Sequence, residues 1–215
     1  GGELYPGYPV ILDIGMEPMK IFQHFSVVGF CNTYLIGPND GGSAILIDPG
    51  HVDTELIELI EGHRYTIDHV LITHRHDAHV QGLGTLLKIY SPEVHAAAAS
   101  IYDYQVTEVT DNQTLNLCGF DVDAIHVPGH SLDSMVFRIQ RALFTGDVIM
   151  SGRIGSTPGI MERELLRKAI RKRILSLDEN LLLFPGHGPP STLKIEKMFN
   201  PELLEIIAGT AELIQ

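Results

Sequence analysis

The chain has 215 residues, 44% of them hydrophobic, and 15 Lys and Arg against 27 Asp and Glu give a formal net charge of -12; this composition fits one globular domain over residues 1–215. The acidic balance argues against a phosphate-backbone surface, which needs clustered Lys and Arg, so nucleic acid is not an expected partner. No apolar run approaches the roughly 20 residues that cross a bilayer, and Cys31 and Cys118 stand apart from each other, which indicates no disulfide framework and no thiolate zinc site; a soluble protein of the reducing cytoplasm, without a membrane partner, is expected.

Short extended pieces come first, at Val10–Ile14, Asn32–Ile36 and Ala44–Ile47, broken by the turn-forming cluster at 37–42. Thr54 to Gly62 places Leu56, Ile57, Leu59 and Ile60 at helical spacing, and the β-rich run Val70–Thr73 leads straight into a group of histidines. Gly82 and Gly84 are expected to interrupt a short helix that runs to Tyr90. Strands are then predicted at Val94–Ala97, Phe120–Val127, Met135–Ile139 and Ala142–Thr145. A helix over Glu162–Leu177 presents Arg163 through Arg173 to solvent and Leu166, Ala169, Ile170 and Ile174 to a core; an apolar strand at Leu181–Phe184 and a helix around Pro201–Ile214 close the chain. Leu203, Leu204, Ile206 and Ile207 are expected to pack on the domain itself, with homodimerisation as the alternative use. Strands mixed with helices that need a sheet to bury their apolar stripe predict an α/β layered sandwich.

Three of the 11 histidines fall within Thr73-His74-Arg75-His76-Asp77-Ala78-His79, directly after an apolar strand. A strand end is rigid and the loop beyond it can curl, so neighbouring imidazoles can converge on one cation such as zinc. Further ligand-type side chains stand beside glycines at predicted strand ends: His130 in Pro128-Gly129-His130, Asp147 in Thr145-Gly146-Asp147 and His187 in Pro185-Gly186-His187. Burying three imidazoles without a metal would require several specific partners. His24, His51, His63, His69 and His95 carry no such pattern and read as structural, hydrogen-bonded residues.

These segments resemble the metallo-β-lactamase superfamily, and within it the glyoxalase II-like hydrolases. The signature is T-H-x-H-x-D-H followed by distant His, Asp and His, which maps onto Thr73, His74, His76, His79, His130, Asp147 and His187. Asn32–Ile36 and Leu46–Gly50 are similar to the family's two early sheet motifs, and Pro185–Thr192, with Glu196 and Asn200-Pro201, to the closing motif of that branch. The resemblance implies a four-layer αββα sandwich in which His74, His76 and His130 hold one metal, His79 and His187 help to hold a second, and Asp147 bridges them. Zinc is the expected cofactor, one or two ions, with iron or manganese as alternatives. Asp48, in Asp-Pro-Gly, is either a turn residue or the group that orients a ligand histidine.

One position departs from the pattern. The motif aspartate falls on Ala78, and the carboxylate stands one place earlier, at Asp77. Asp77 is the candidate catalytic replacement, with a helix N-cap as its ordinary alternative, although adjacent side chains usually diverge. The reading implied is a metal-dependent hydrolase whose metal-bound hydroxide attacks a thioester or related activated acyl group of a small-molecule substrate. Two alternatives stay open: a mononuclear non-haem iron oxidoreductase like the persulfide dioxygenases, using His74, His130 and Asp147, or a metal-binding protein without the ancestral activity.

Overall fold

The computed structural model describes residues 10–12 and 18–211. In chain order it has strands β1 (Val10–Leu12), β2 (Met19–Phe25), β3 (Asn32–Pro38) and β4 (Gly42–Ile47), helix α1 (Thr54–Gly62), β5 (Tyr65–Leu71), α2 (Asp77–Val80), α3 (Leu83–Tyr90) and β6 (Glu93–Ala96). Short strands β7 (Ser100–Ile101), β8 (Tyr104–Gln105) and β9 (Thr107–Glu108) follow. Then come β10 (Thr114–Leu117), β11 (Phe120–His126), β12 (Met135–Ile139), β13 (Ala142–Gly146), β14 (Ile149–Met150) and β15 (Arg153–Ile154). The chain closes with α4 (Ile160–Arg173), β16 (Leu182–Pro185), β17 (Ser191–Thr192), α5 (Leu193–Phe199) and α6 (Pro201–Ala211).

Two compact units share the chain. The first runs through Glu108 and includes 116–121; the second comprises 109–115 and everything from Val122 onward. In the first unit a seven-stranded sheet has the order β1-β2-β3-β4-β5-β6-β9. Its early strands pair antiparallel, whereas β4, β5, β6 and β9 run parallel, so their C-terminal ends come out on one side. Leu56 and Ile60 of α1, four residues apart, and Leu83 and Leu86 of α3 bury against Leu35, Leu46, Ile67 and Val70 of the sheet. Asp53 caps α1 by accepting from the Leu56 amide at 2.9 Å.

The second unit is built on a six-stranded sheet of order β10-β11-β12-β13-β16-β17. Leu166, Ile170 and Ile174, from α4 and the residue after it, and Leu203 and Ile206 of α6 pack with Val136, Leu143 and Leu183 of that sheet. Leu204 and Ile207 face outward instead, so half of the apolar run at 203–207 serves the core as expected. The Asn200 side chain accepts from the amides of Glu202 and Leu203 at 3.1 and 3.3 Å. With Pro201 in the first turn, this is a helix start by capping and by proline preorganisation.

Several predicted elements need adjustment. Val10–Ile14 forms a strand over Val10–Leu12, and its last two residues lie outside the described residues, as does the end of the helix expected around Pro201–Ile214. Gly84 does not interrupt a helix: it sits inside α3, where a Cβ would stand 2.5 Å from the Tyr104 hydroxyl. Helix α4 stops at Arg173 rather than Leu177, because the chain turns there and the Leu177 amide bonds to the Ile174 carbonyl at 3.0 Å.

Candidate metal centre

In the first unit the site begins with backbone register. Strands β4 and β5 are parallel neighbours ending at Ile47 and Leu71, so Asp48 and the Thr73–His79 loop emerge side by side. The Asp48 amide donates to the Leu71 carbonyl at 3.0 Å. Asp48 adopts a left-handed backbone, φ 53°, which its short polar side chain tolerates. Its carboxylate is 2% exposed and collects three bonds: Oδ1 accepts the Thr73 amide at 2.8 Å, and Oδ2 accepts the Thr73 hydroxyl at 2.6 Å and lies 2.9 Å from His79 Nδ1. Asp48 is therefore both the turn residue and the group that orients a histidine.

That contact decides what His79 can do. A carboxylate on Nδ1 fixes the proton there and leaves Nε2 as the lone-pair nitrogen, the arrangement by which metal-ligating histidines are oriented. His74 and His79 are buried and His76 is exposed. The His74 ring lies 4.6 Å from that of His76 and 4.1 Å from that of His79, centre to centre, so the three imidazoles of the cluster do gather. Buried Cys31 lies against the same histidine, Sγ to Nδ1 3.5 Å. Gly50 gives the loop room, since a Cβ there would fall 1.7 Å from the Ala78 carbonyl oxygen.

Asp77 opens α2 and is exposed; its carboxylate accepts from the Tyr102 hydroxyl at 2.8 Å. The N-cap position belongs to His76. Among the described residues, Asp77 falls in none of the three-donor groups close enough to share a cation.

The second unit gathers donors of its own. Parallel β13 and β16 pair Gly146 with Pro185, which sets Asp147 and His187 one and two residues beyond adjoining strand ends. His130, on the loop between β11 and β12, points Nδ1 at the Ser156 carbonyl oxygen, 2.7 Å away; the proton again sits on Nδ1 and Nε2 is left as the ligand atom. Nε2 of His130 and Nε2 of His187 each lie 3.4 Å from Asp147 Oδ2. Donors on a tetrahedral zinc with bonds of roughly 2.0–2.1 Å stand about 3.3 Å apart, so each of the two histidines is spaced from Asp147 as two ligands of a shared cation are. Close to them is Gly155, where a Cβ would meet the Asp147 carbonyl oxygen at 2.2 Å and the His130 side chain at 3.0 Å.

Donor type and tautomer control in each unit fit metal-ligating residues. Sequence reasoning named its histidines and Asp147 but missed the carbonyl of Ser156, since a backbone oxygen carries no residue signature, and it missed Cys31, which has no spacing relation to the cluster.

Behind the closing motif, Glu196 is 2% exposed and accepts from the Gly152 amide at 3.0 Å, the Ser191 hydroxyl at 2.7 Å and the Asn200 amide group at 2.9 Å. It ties α5 to the β14–β15 turn and to the start of α6, and so acts on the frame rather than on the chemistry.

The family model of the metallo-β-lactamase superfamily matches residues 26–116, which include the whole His74–His79 loop. The chain belongs to this superfamily. An uncharacterised protein of Mycobacterium tuberculosis is 31% identical over 208 residues, covering 80% of this chain and 92% of that one. An atrochrysone carboxyl ACP thioesterase of Aspergillus fumigatus is 35% identical over 167 residues, 73% of this chain but only 50% of the fungal protein. Among solved structures, ETHE1 from Myxococcus xanthus aligns with a TM-score of 0.76 at 25% identity over 87% of this chain and 89% of its own. The superfamily member has the α/β fold of the metallo-β-lactamase type, as its motifs implied. Among the described residues no helix is long and apolar enough to cross a membrane.

Proposed function

We propose that this protein is a metal-dependent hydrolase of a small activated acyl compound, a thioester in the first instance. The observation that carries the reading is the matched tautomer control: Asp48 on His79 Nδ1 and the Ser156 carbonyl on His130 Nδ1 both reserve Nε2 for a cation. In this reading His74, His76 and His130 would hold one metal, and His79, Asp147 and His187 would hold a second. Zinc, iron or manganese bound there would supply a Lewis acid and lower the pKa of water towards neutrality. The chain's own residues supply the rest. Asp147 would contribute negative charge that offsets the cations, the strand ends keep the donors in place, and Asp77, one residue from Ala78 and held by the Tyr102 hydroxyl, is the candidate proton acceptor in place of the absent carboxylate. The fungal relative named as a thioesterase supports the substrate class.

Ala78 supports a second reading. Without a carboxylate at that position the second cation is held by fewer anionic ligands, and His74, His130 and Asp147 make a two-histidine, one-carboxylate set suited to a single ferrous ion with open positions. The deciding experiment measures hydrolysis of acyl thioesters beside oxygen uptake with a persulfide, on chelator-stripped protein reloaded with zinc or with ferrous iron. Thioester cleavage that returns with metal and is lost in His130→Ala supports the hydrolase. Oxygen consumption dependent on iron, with no thioester cleavage, replaces it by the oxidoreductase.

A further inference from the structure

Away from the centre described above, the first unit carries another set of metal-type donors. Strands β5 and β6 are parallel neighbours in a register that pairs His69 with Glu93 and Leu71 with His95. Side chains two apart on a strand share a face, so Glu93 and His95 lie on one face of β6, and His69 meets them there. His69 Nδ1 and His95 Nε2 are 3.0 Å apart, and a Glu93 carboxylate oxygen lies 3.8 Å from the first and 4.0 Å from the second. The three donors thus fall within reach of one cation.

We propose that His69, Glu93 and His95 form a second, separate metal site for a divalent cation of the zinc class. The donor set is two imidazoles and a carboxylate, a combination that zinc accepts with a fourth position left to water. Three features make it a built site. Both histidines stand on paired strands, whose backbone bonds fix their spacing. Glu93 is aimed by the Thr107 hydroxyl of β9, which donates to its other oxygen at 2.7 Å. His95 is buried, and its ring turns Nε2 towards the cluster, 3.0 Å from His69 Nδ1. Without a cation, one proton is shared between the two facing nitrogens. With one, that proton leaves and both lone pairs turn to the metal; a tetrahedral ion separates its donors by about 3.3 Å, so the change is a few tenths of an ångström at the histidine pair. The proposal does not depend on the hydrolase reading, because it shares no residue with that centre.

The test dialyses chelator-stripped protein against zinc and counts metal per chain by elemental analysis, for the native chain, His69→Gln and Glu93→Gln. Histidine nitrogen NMR of the native chain is recorded in parallel. At saturation the His69→Gln chain is expected to hold one zinc fewer than the native chain, Glu93→Gln to bind that zinc more weakly, and thioester hydrolysis to stay at the native rate in both. The nitrogen signals of His69 and His95 are expected to move to metal-bound positions as zinc is added. Equal zinc content in all three chains, or His69 and His95 signals that do not move with zinc, overturns the proposal and leaves a hydrogen-bonded histidine pair. The spectra of the native chain decide the question even if a variant fails to fold.

Discussion

Replacing Asp48 with asparagine is the sharpest probe of how the first unit prepares its ligands. Asparagine keeps the size of the side chain and tolerates the left-handed backbone at φ 53°. What changes is hydrogen-bond polarity. The native carboxylate accepts from the Thr73 amide on Oδ1 and from the Thr73 hydroxyl and His79 Nδ1 on Oδ2. If the asparagine oxygen faces the Thr73 amide, its NH2 group meets His79; if it is turned round, the NH2 group meets the Thr73 amide. In either orientation a buried N–H faces another donor, and one charge-assisted bond is lost, about 1.5–3 kcal/mol of stability. In the first, His79 relieves the clash by moving its proton to Nε2, the atom meant for the metal. Loss of such an orienting partner typically weakens metal binding 10–100-fold, which is about 1.4–2.8 kcal/mol. The assay is competition against a chromophoric chelator, with a denaturant melt of the metal-free protein beside it. An Asp48→Asn chain that binds metal as tightly as the native chain refutes the tautomer argument, whatever its stability.

Gly50→Ala is expected to cost about 1–3 kcal/mol and to weaken metal binding as well, because the new methyl would lie 1.7 Å from the Ala78 carbonyl and push the histidine loop; a melt and a metal titration check both effects. Glu196→Ala leaves three donors without their acceptor and should lower unfolding free energy by about 2–4 kcal/mol, while the metal affinity of the folded protein changes little. His63 provides a pH test. Burial, and secondarily the charge on Lys20, hold its imidazole below the usual 6.5, so below that value the unfolded chain binds more protons than the folded one. The contribution of His63 is fully present above about pH 6.5 and is lost as the pH falls towards the depressed folded value. Denaturation curves from pH 7.5 down to 5 should therefore fall less steeply for His63→Gln than for the native chain.

What the sequence revealed depended on how local the signal was. Helix α1 was legible from the helical spacing of Leu56, Ile57, Leu59 and Ile60, and it has the expected ends, with Asp53 capping its start and His63 its C-terminal end. The His74–His79 loop was legible because its donors sit within one turn of chain. Strand β2 was missed, since Lys20, Gln23 and His24 break up its apolar residues, and the strand is recognised only by its pairing with β3. Helix α5 was missed too, although Thr192 caps it by accepting from the Ile195 amide at 3.1 Å; seven residues are too few for a clear helical period. His69 and His95 read as unrelated because their meeting depends on the register of two parallel strands, and no spacing in the chain encodes that register. Asp48 was read as either a turn or an orienting group, and it is both: the left-handed turn is what brings its carboxylate back over Thr73 and His79.

The central claim, that the strand-end histidines and Asp147 hold metal, is tested most directly by elemental analysis of protein purified without added metal, in the His69→Gln background so that only this centre is counted, beside His130→Ala and Ala78→Asp versions of the same chain. The account predicts at least one transition metal per chain in the parent, a clear loss in His130→Ala, and a gain towards two in Ala78→Asp, where the missing carboxylate is restored. A parent chain that holds no metal even after reloading, or a metal content that none of these substitutions changes, would contradict it.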